Sequence, residues 1–128
     1  VERARWVVTL ALGAGALLTG CSSMQEPRVE EVARTFTDPA VDPAERCDLL
    51  APTTLAALEE QSSCAEAVEQ LVPDGGAVTA VEVWGGDAQV RLTGDTVFLA
   101  ETGTGWRVVA AACQARDEAP YDCEVEGP

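Results

Sequence analysis

The chain contains no histidine and no lysine, and it has a single methionine and a single tyrosine among 128 residues. Without histidine it lacks the side chain that most readily exchanges a proton near neutral pH. That removes Ser-His-Asp and Cys-His nucleophile arrangements and every histidine-based zinc motif. Without lysine, all 8 basic side chains are arginines, and 22 acidic residues outnumber them to give a formal charge of −14. Charge of this sign repels nucleic-acid phosphates and anionic membrane faces, and the arginines are too scattered to track a phosphate backbone, so nucleic acid is excluded as a partner. The glycines match neither G-x-G-x-x-G nor G-x-x-x-x-G-K, and no D-x-D-x-D-G calcium loop occurs, so no cofactor or metal site is implied. The length allows one small domain.

What is present begins with an address. In VERARWVVTLALGAGALLTG, Arg3 and Arg5 precede an apolar run from Trp6 to Leu18. This is the order of an export signal, and the run falls short of the roughly 20 apolar residues that a spanning helix needs. The box that follows, Leu18-Thr19-Gly20-Cys21, resembles the lipobox of bacterial lipoproteins. The resemblance implies cleavage after Gly20, a lipid thioether on Cys21, and palmitate-type acyl chains that hold the protein at the extracytoplasmic face of the cell membrane. Residues 1–20 are then a signal peptide, residues 21–28 an acylated tether, and residues 29–128 a single domain. Loss of the leader removes two Arg and one Glu from the 8 and 22, leaving 6 against 21, or −15.

With Cys21 assigned to lipid, Cys47, Cys64, Cys113 and Cys123 form an even set, and an exported compartment favours pairing them. Four cysteines allow three connectivities; closeness in sequence favours Cys47–Cys64 and Cys113–Cys123. A four-thiolate zinc site lacks the C-x-x-C knuckle it needs.

From Val29 the pattern is helical: Val29, Val32, Ala33 and Phe36 fall on one face, and Asp38-Pro39 ends the helix. A second helix is expected near Pro43, a third over Thr53 to Gln61 through Leu55 and Leu58, and a fourth after a Ser63–Glu66 capping box. Pro73-Asp74-Gly75-Gly76 is a stop. Beyond it apolar residues alternate in VTAVEVW, DAQVRL, DTVFLAE and WRVVAAAC, separated by glycine turns, which predicts four antiparallel strands. Val109 and Ala111 supply the alternating apolar positions of the last strand, and VVAAA, apolar on both faces, suggests a central strand covered by helices on one side and by a partner or the tail on the other. The polar tail QARDEAPYDCEVEGP is expected to fold back through Cys113–Cys123.

Helices followed by an antiparallel sheet make an α+β domain. The C-D-L-L-A-P segment at 47 to 52, V-W-G-G-D-A-Q-V-R-L at 83 to 92, D-T-V-F-L at 95 to 99, W-R-V-V-A-A-A-C at 106 to 113 and P-Y-D-C at 120 to 123 carry a family resemblance. In that order they resemble small exported actinobacterial lipoproteins of uncharacterised function with a nuclear transport factor 2-like (SnoaL-like, cystatin-like) domain. The resemblance implies short N-terminal helices packed on a curved four-stranded antiparallel sheet that forms a cone. Enzymes of this superfamily work inside the cone. Their paired acids, acid-base histidine or central tyrosine are not matched here, since Tyr121 lies in the tail, and no catalytic residue is assigned. Fold likeness transfers no activity.

Two residues are candidates for binding. Trp84, just before Gly85-Gly86, is placed for contact with a surface protein or a small apolar ligand. Asp48, beside Cys47, is the acid placed nearest a cone mouth. Asp87 and Asp95 sit at strand turns, where a short acid favours local backbone hydrogen bonds. Together the residues predict an anchored, noncatalytic binding lipoprotein; the alternative is a nuclear transport factor 2-like enzyme or hydrophobic-ligand carrier using the cone interior.

Overall fold

The computed structural model describes residues 20–71, 75–118 and 120–128. Four helices, α1 (Gly20–Thr37), α2 (Pro43–Asp48), α3 (Pro52–Glu59) and α4 (Cys64–Gln70), precede strands β1 (Val78–Trp84), β2 (Asp87–Leu92), β3 (Thr96–Thr102), β4 (Gly105–Gln114) and β5 (Asp122–Glu126). The strands pair in chain order as one antiparallel meander, so β1 and β5 are the two edges.

The helices start where local chemistry satisfies their first amides. The Asp42 carboxylate accepts from Ala44 N at 2.8 Å, and Pro43 opens α2; the Ser63 hydroxyl accepts from Glu66 N at 3.3 Å ahead of α4. The predicted face of α1, Val29, Val32, Ala33 and Phe36, is buried. It lies on the sheet face formed by Ala88, Val90, Val97, Leu99 and Val108, with Val68, Ala111 and Val125 completing the core.

The sheet is open, and this corrects the expected four-stranded, curved cone. Closing or curling a sheet into a cone leaves an interior that a ligand can enter. Here the inward residues are mostly Val and Ala, so α1 seats directly on one face and the helical layer fills the space where a cone interior would lie. The nuclear transport factor 2-like architecture, and with it the carrier or enzyme working inside a cone, does not describe this molecule.

The fifth strand is the second correction. D-C-E-V-E does more than fold back through a cystine: Ala110 pairs with Glu126, Ala111 with Val125, Cys113 with Cys123 and Gln114 with Asp122. Cys113 is bonded to Cys123 with Cα atoms 4.0 Å apart, and Cys47 is bonded to Cys64 at 6.1 Å, tying α2 to the start of α4.

Inward facing on β4 also differs from simple alternation. Phe98 lies opposite Ala110 whereas Leu99 lies opposite Val108, so Val109 is an extra residue on the bulged strand. The bulge turns Val108 and Ala111 to the core and leaves Val109 on the other side. Where β5 does not reach, the α2–α3 link covers β4: Val108 N donates to Leu49 O and Ala51 N donates to Val108 O, both at 2.8 Å.

Residues 21–28, expected as a tether, are the first turns of α1. Pro27 within this helix removes one backbone hydrogen bond. A tertiary contact holds the segment: the Trp106 indole N–H donates to Gln25 Oε1 at 2.6 Å, and Trp106 is buried. Of the lipobox, Leu18 and Thr19 lie outside the described residues, as do the rest of the leader and residues 72–74, which include Pro73-Asp74 of the stop; Gly20 and Cys21 begin α1.

Candidate functional site

The face of the sheet turned away from α1 carries the candidate site. Strand pairing arranges its side chains in rows: Trp84, Asp87, Ala100 and Arg107 near the β1–β2 turn, then Glu82, Gln89, Phe98, Ala110 and Glu126. Pro120 and Tyr121 lie over the second row. Tyr121 meets Phe98 edge to face with ring centroids 5.1 Å apart, and the Gln89 side-chain amide donates to the Tyr121 hydroxyl at 3.3 Å. Such an aromatic pair contributes about 0.5–1.5 kcal/mol beyond its buried area.

Beside this pair runs an open groove of about 460 Å³, walled by Phe98, Val109, Ala110, Pro120 and Tyr121 and closed at one end by Thr53 of α3. The bulge at Val109 supplies one apolar wall, and Tyr121 supplies the opposite one. Thr54 fixes α3 against the groove through a hydroxyl that donates to Val109 O at 3.1 Å, and Gly127 approaches Thr54 too closely for a Cβ to fit there. Alternation along D-T-V-F-L already turns Phe98 outward, but nothing in the sequence places Tyr121 over it before the fifth strand is known.

The two residues singled out for binding are not brought together. Asp48 ends α2 exposed on the helical side, away from the groove. Trp84 is 51% exposed at the end of β1, outside the groove. Its neighbour Gly85 takes φ +61° in the turn to Asp87, a conformation that suits glycine. Glu82 and Arg91 form an exposed cross-strand ion pair at 3.5 Å, a contact of small energetic weight.

Asp95 does more than start a strand. Its carboxylate accepts from Thr96 N at 2.6 Å and, across the sheet, from Ala112 N and Cys113 N at 3.0 Å each. Ala112 sits at φ +53°, costly for a residue with a Cβ, and the carboxylate receives the amides that this kink redirects. Burial holds the Asp95 carboxyl above its ordinary range; the three amides oppose that shift, and nearby Glu124 adds to it. Asp95 thus acts as a structural acceptor whose oxygens are already engaged. A small cavity of about 30 Å³ separates it from Arg46, whose guanidinium donates from Nε to Phe36 O at 2.6 Å and from Nη1 to Val68 O at 3.4 Å. Burial lowers the Arg46 pKa, and Asp38 works the other way.

Among the described residues, no group of three or more Cys, Asp or Glu converges to hold a metal ion, and no helix is long and apolar enough to cross a membrane. Comparison with protein-family models, with curated proteins and with solved structures finds no match for this chain.

Proposed function

We propose that the chain is an exported lipoprotein, anchored at the extracytoplasmic face of the cell membrane through acylated Cys21, whose α+β domain is a noncatalytic module binding a surface protein or a small apolar ligand. The observation that carries this reading is the ordered leader: Arg3 and Arg5, the apolar run to Leu18, then Leu18-Thr19-Gly20-Cys21. Two cystines in so small a domain fit an oxidising compartment. The Phe98–Tyr121 groove supports the binding role, since its volume falls within the ~300–1,000 Å³ of small-molecule sites and its walls are largely apolar. The noncatalytic reading rests on the missing histidine and on an Asp95 carboxylate already occupied by backbone amides.

Mass spectrometry of the protein extracted from bacterial membranes tests the anchor. The expected product begins at Cys21 and carries a diacylglyceryl group; an N-terminus elsewhere, or an unmodified Cys21, rejects the reading.

A further inference from the structure

The position of the attachment point within the fold decides how the domain meets its membrane. α1 enters the fold at one end of the sheet, because Gln25 is bonded to Trp106 beside the β3–β4 turn. It leaves at the other end, where Thr37 O accepts from Gly75 N just before β1 begins. The tight turns at Gly85-Gly86 and Gly103-Thr104 lie at the entry end together, joined by Glu101 N donating to Gly86 O at 2.7 Å. Cys21 precedes Gln25 by four helical residues, about 6 Å further along α1 and out from the same end. Whether the apolar run before Cys21 stays attached or is replaced by acyl chains, the membrane-seeking part of the chain joins the domain here.

Two large hydrophobic side chains are exposed among the described residues, Met24 at 81% and Trp84 at 51%, and both belong to this end. Met24 is one turn from Cys21 on α1; Trp84 closes β1 at the first glycine turn. A Cβ added at Gly85, Gly86 or Gly103 would meet nothing within 4 Å, so both turn tips project freely. Tryptophan is the side chain best suited to the headgroup level, with an apolar ring and an N–H that stays hydrated.

We propose that the hairpin end of the domain lies against the bilayer to which the chain is anchored, with Trp84 and Met24 entering the headgroup region. The proposal deepens the lipoprotein reading, because it concerns the surface that the anchor brings near. A protein partner for Trp84 is the competing occupant, and the test separates the two.

The test uses protein extracted from membranes of a bacterium expressing the full chain and reconstituted in phosphatidylcholine vesicles, with and without bromine on the acyl chains. Vesicle flotation and mass spectrometry of the same preparation report attachment and the state of Cys21. Subtracting the emission of Trp84→Phe isolates Trp84 from buried Trp106 and from any retained Trp6. The expected result is a Trp84 emission that is blue-shifted and quenched by brominated lipid. Floating protein whose Trp84 stays red-shifted and unquenched overturns the apposition and leaves the anchor standing. A quenched Trp84 on floating protein with unmodified Cys21 supports the apposition and removes the acylation. Protein that does not float overturns both.

Discussion

Arg46 offers the sharpest test of how this small domain is held together. Its side chain is 5% exposed on α2, and it reaches the carbonyl ends of two other helices, Phe36 O on α1 and Val68 O on α4, while lying 5.6 Å from the centroid of the Phe36 ring. One cation therefore meets the negative ends of two helix dipoles; it satisfies Phe36 O, while Val68 O also accepts from the Leu71 amide at 3.2 Å. In Arg46→Met the aliphatic stem still packs, and the cost of desolvating a cation disappears. One buried acceptor, Phe36 O, remains at a cost of about 1–3 kcal/mol, Val68 O keeps its bond from the Leu71 amide, and the ring contact of about 0.5–2 kcal/mol is lost. Set against the relief of cation desolvation, the expected destabilisation is about 1–3 kcal/mol, a substantial part of the 5–15 kcal/mol typical of a domain. Denaturant unfolding under non-reducing conditions measures it, and the matching fall in Tm is on the order of 10 °C. Arg46→Lys keeps the charge without the fork and should fall between the two. If Arg46→Met unfolds within about 0.5 kcal/mol of the parent, the Phe36 carbonyl is hydrated through the adjoining cavity, and the bridging role assigned to Arg46 is wrong.

Opening the second cystine tests β5. Replacing Cys113 and Cys123 by Ser releases a loop of 10 residues, an expected loss of about 3 kcal/mol, and amide exchange should quicken in β5 and its β4 partners while β1 to β3 keep their protection; uniform acceleration would contradict an edge strand held by its own staple. Asp95 gives a pH test. Its folded pKa lies above the unfolded value of about 4, so the folded state binds the proton more tightly, and the stability it contributes is present at lower pH and lost as pH rises through the folded pKa. The difference in unfolding free energy between the parent and Asp95→Asn should therefore narrow from pH 3 to pH 7, and a difference that widens refutes the burial argument.

What the sequence made legible is what short-range physics decides. The α1 face, the Ser63 cap and the first four strands follow from period, cap chemistry and glycine turns, and each is found near its expected limits. The sheet's openness was not legible, because periodicity says which residues point inward but not how far a sheet bends. The bulge at Val109 was hidden for a related reason: VVAAA is apolar at every position, so a one-residue slip leaves no trace in the pattern. Arg46 was passed over because a charged residue in a helix normally faces water. Only the arrival of two helix ends above it makes burial tolerable. The groove needs the bulge at Val109, Tyr121 ahead of β5 and Thr53 of α3 at once, and α3 lies far from the others in sequence.

The charge that first set this chain apart bears on the proposed orientation. Asp117 and Glu118 belong to the connection between β4 and β5, at the end of the sheet opposite the two glycine turns, and both are exposed. At the hairpin end, Glu26, Asp87 and Glu101 are accompanied by Arg28 and Arg107, so the local excess of acid is small. With the proposed leader removed, a domain of formal charge −15 would be repelled by anionic lipid whichever way it turned, but least when the end of weakest negative charge is lowered. That is the end where α1 begins and where Trp84 and Met24 are exposed. Electrostatics thus selects the same face as the proposed anchor and the apolar side chains, and that orientation would leave the Phe98–Tyr121 groove open to the aqueous side. Raising the anionic lipid content of the vesicles should weaken Trp84 quenching without reversing it, because the proposed anchor would hold the domain at the surface while repulsion tilts it away.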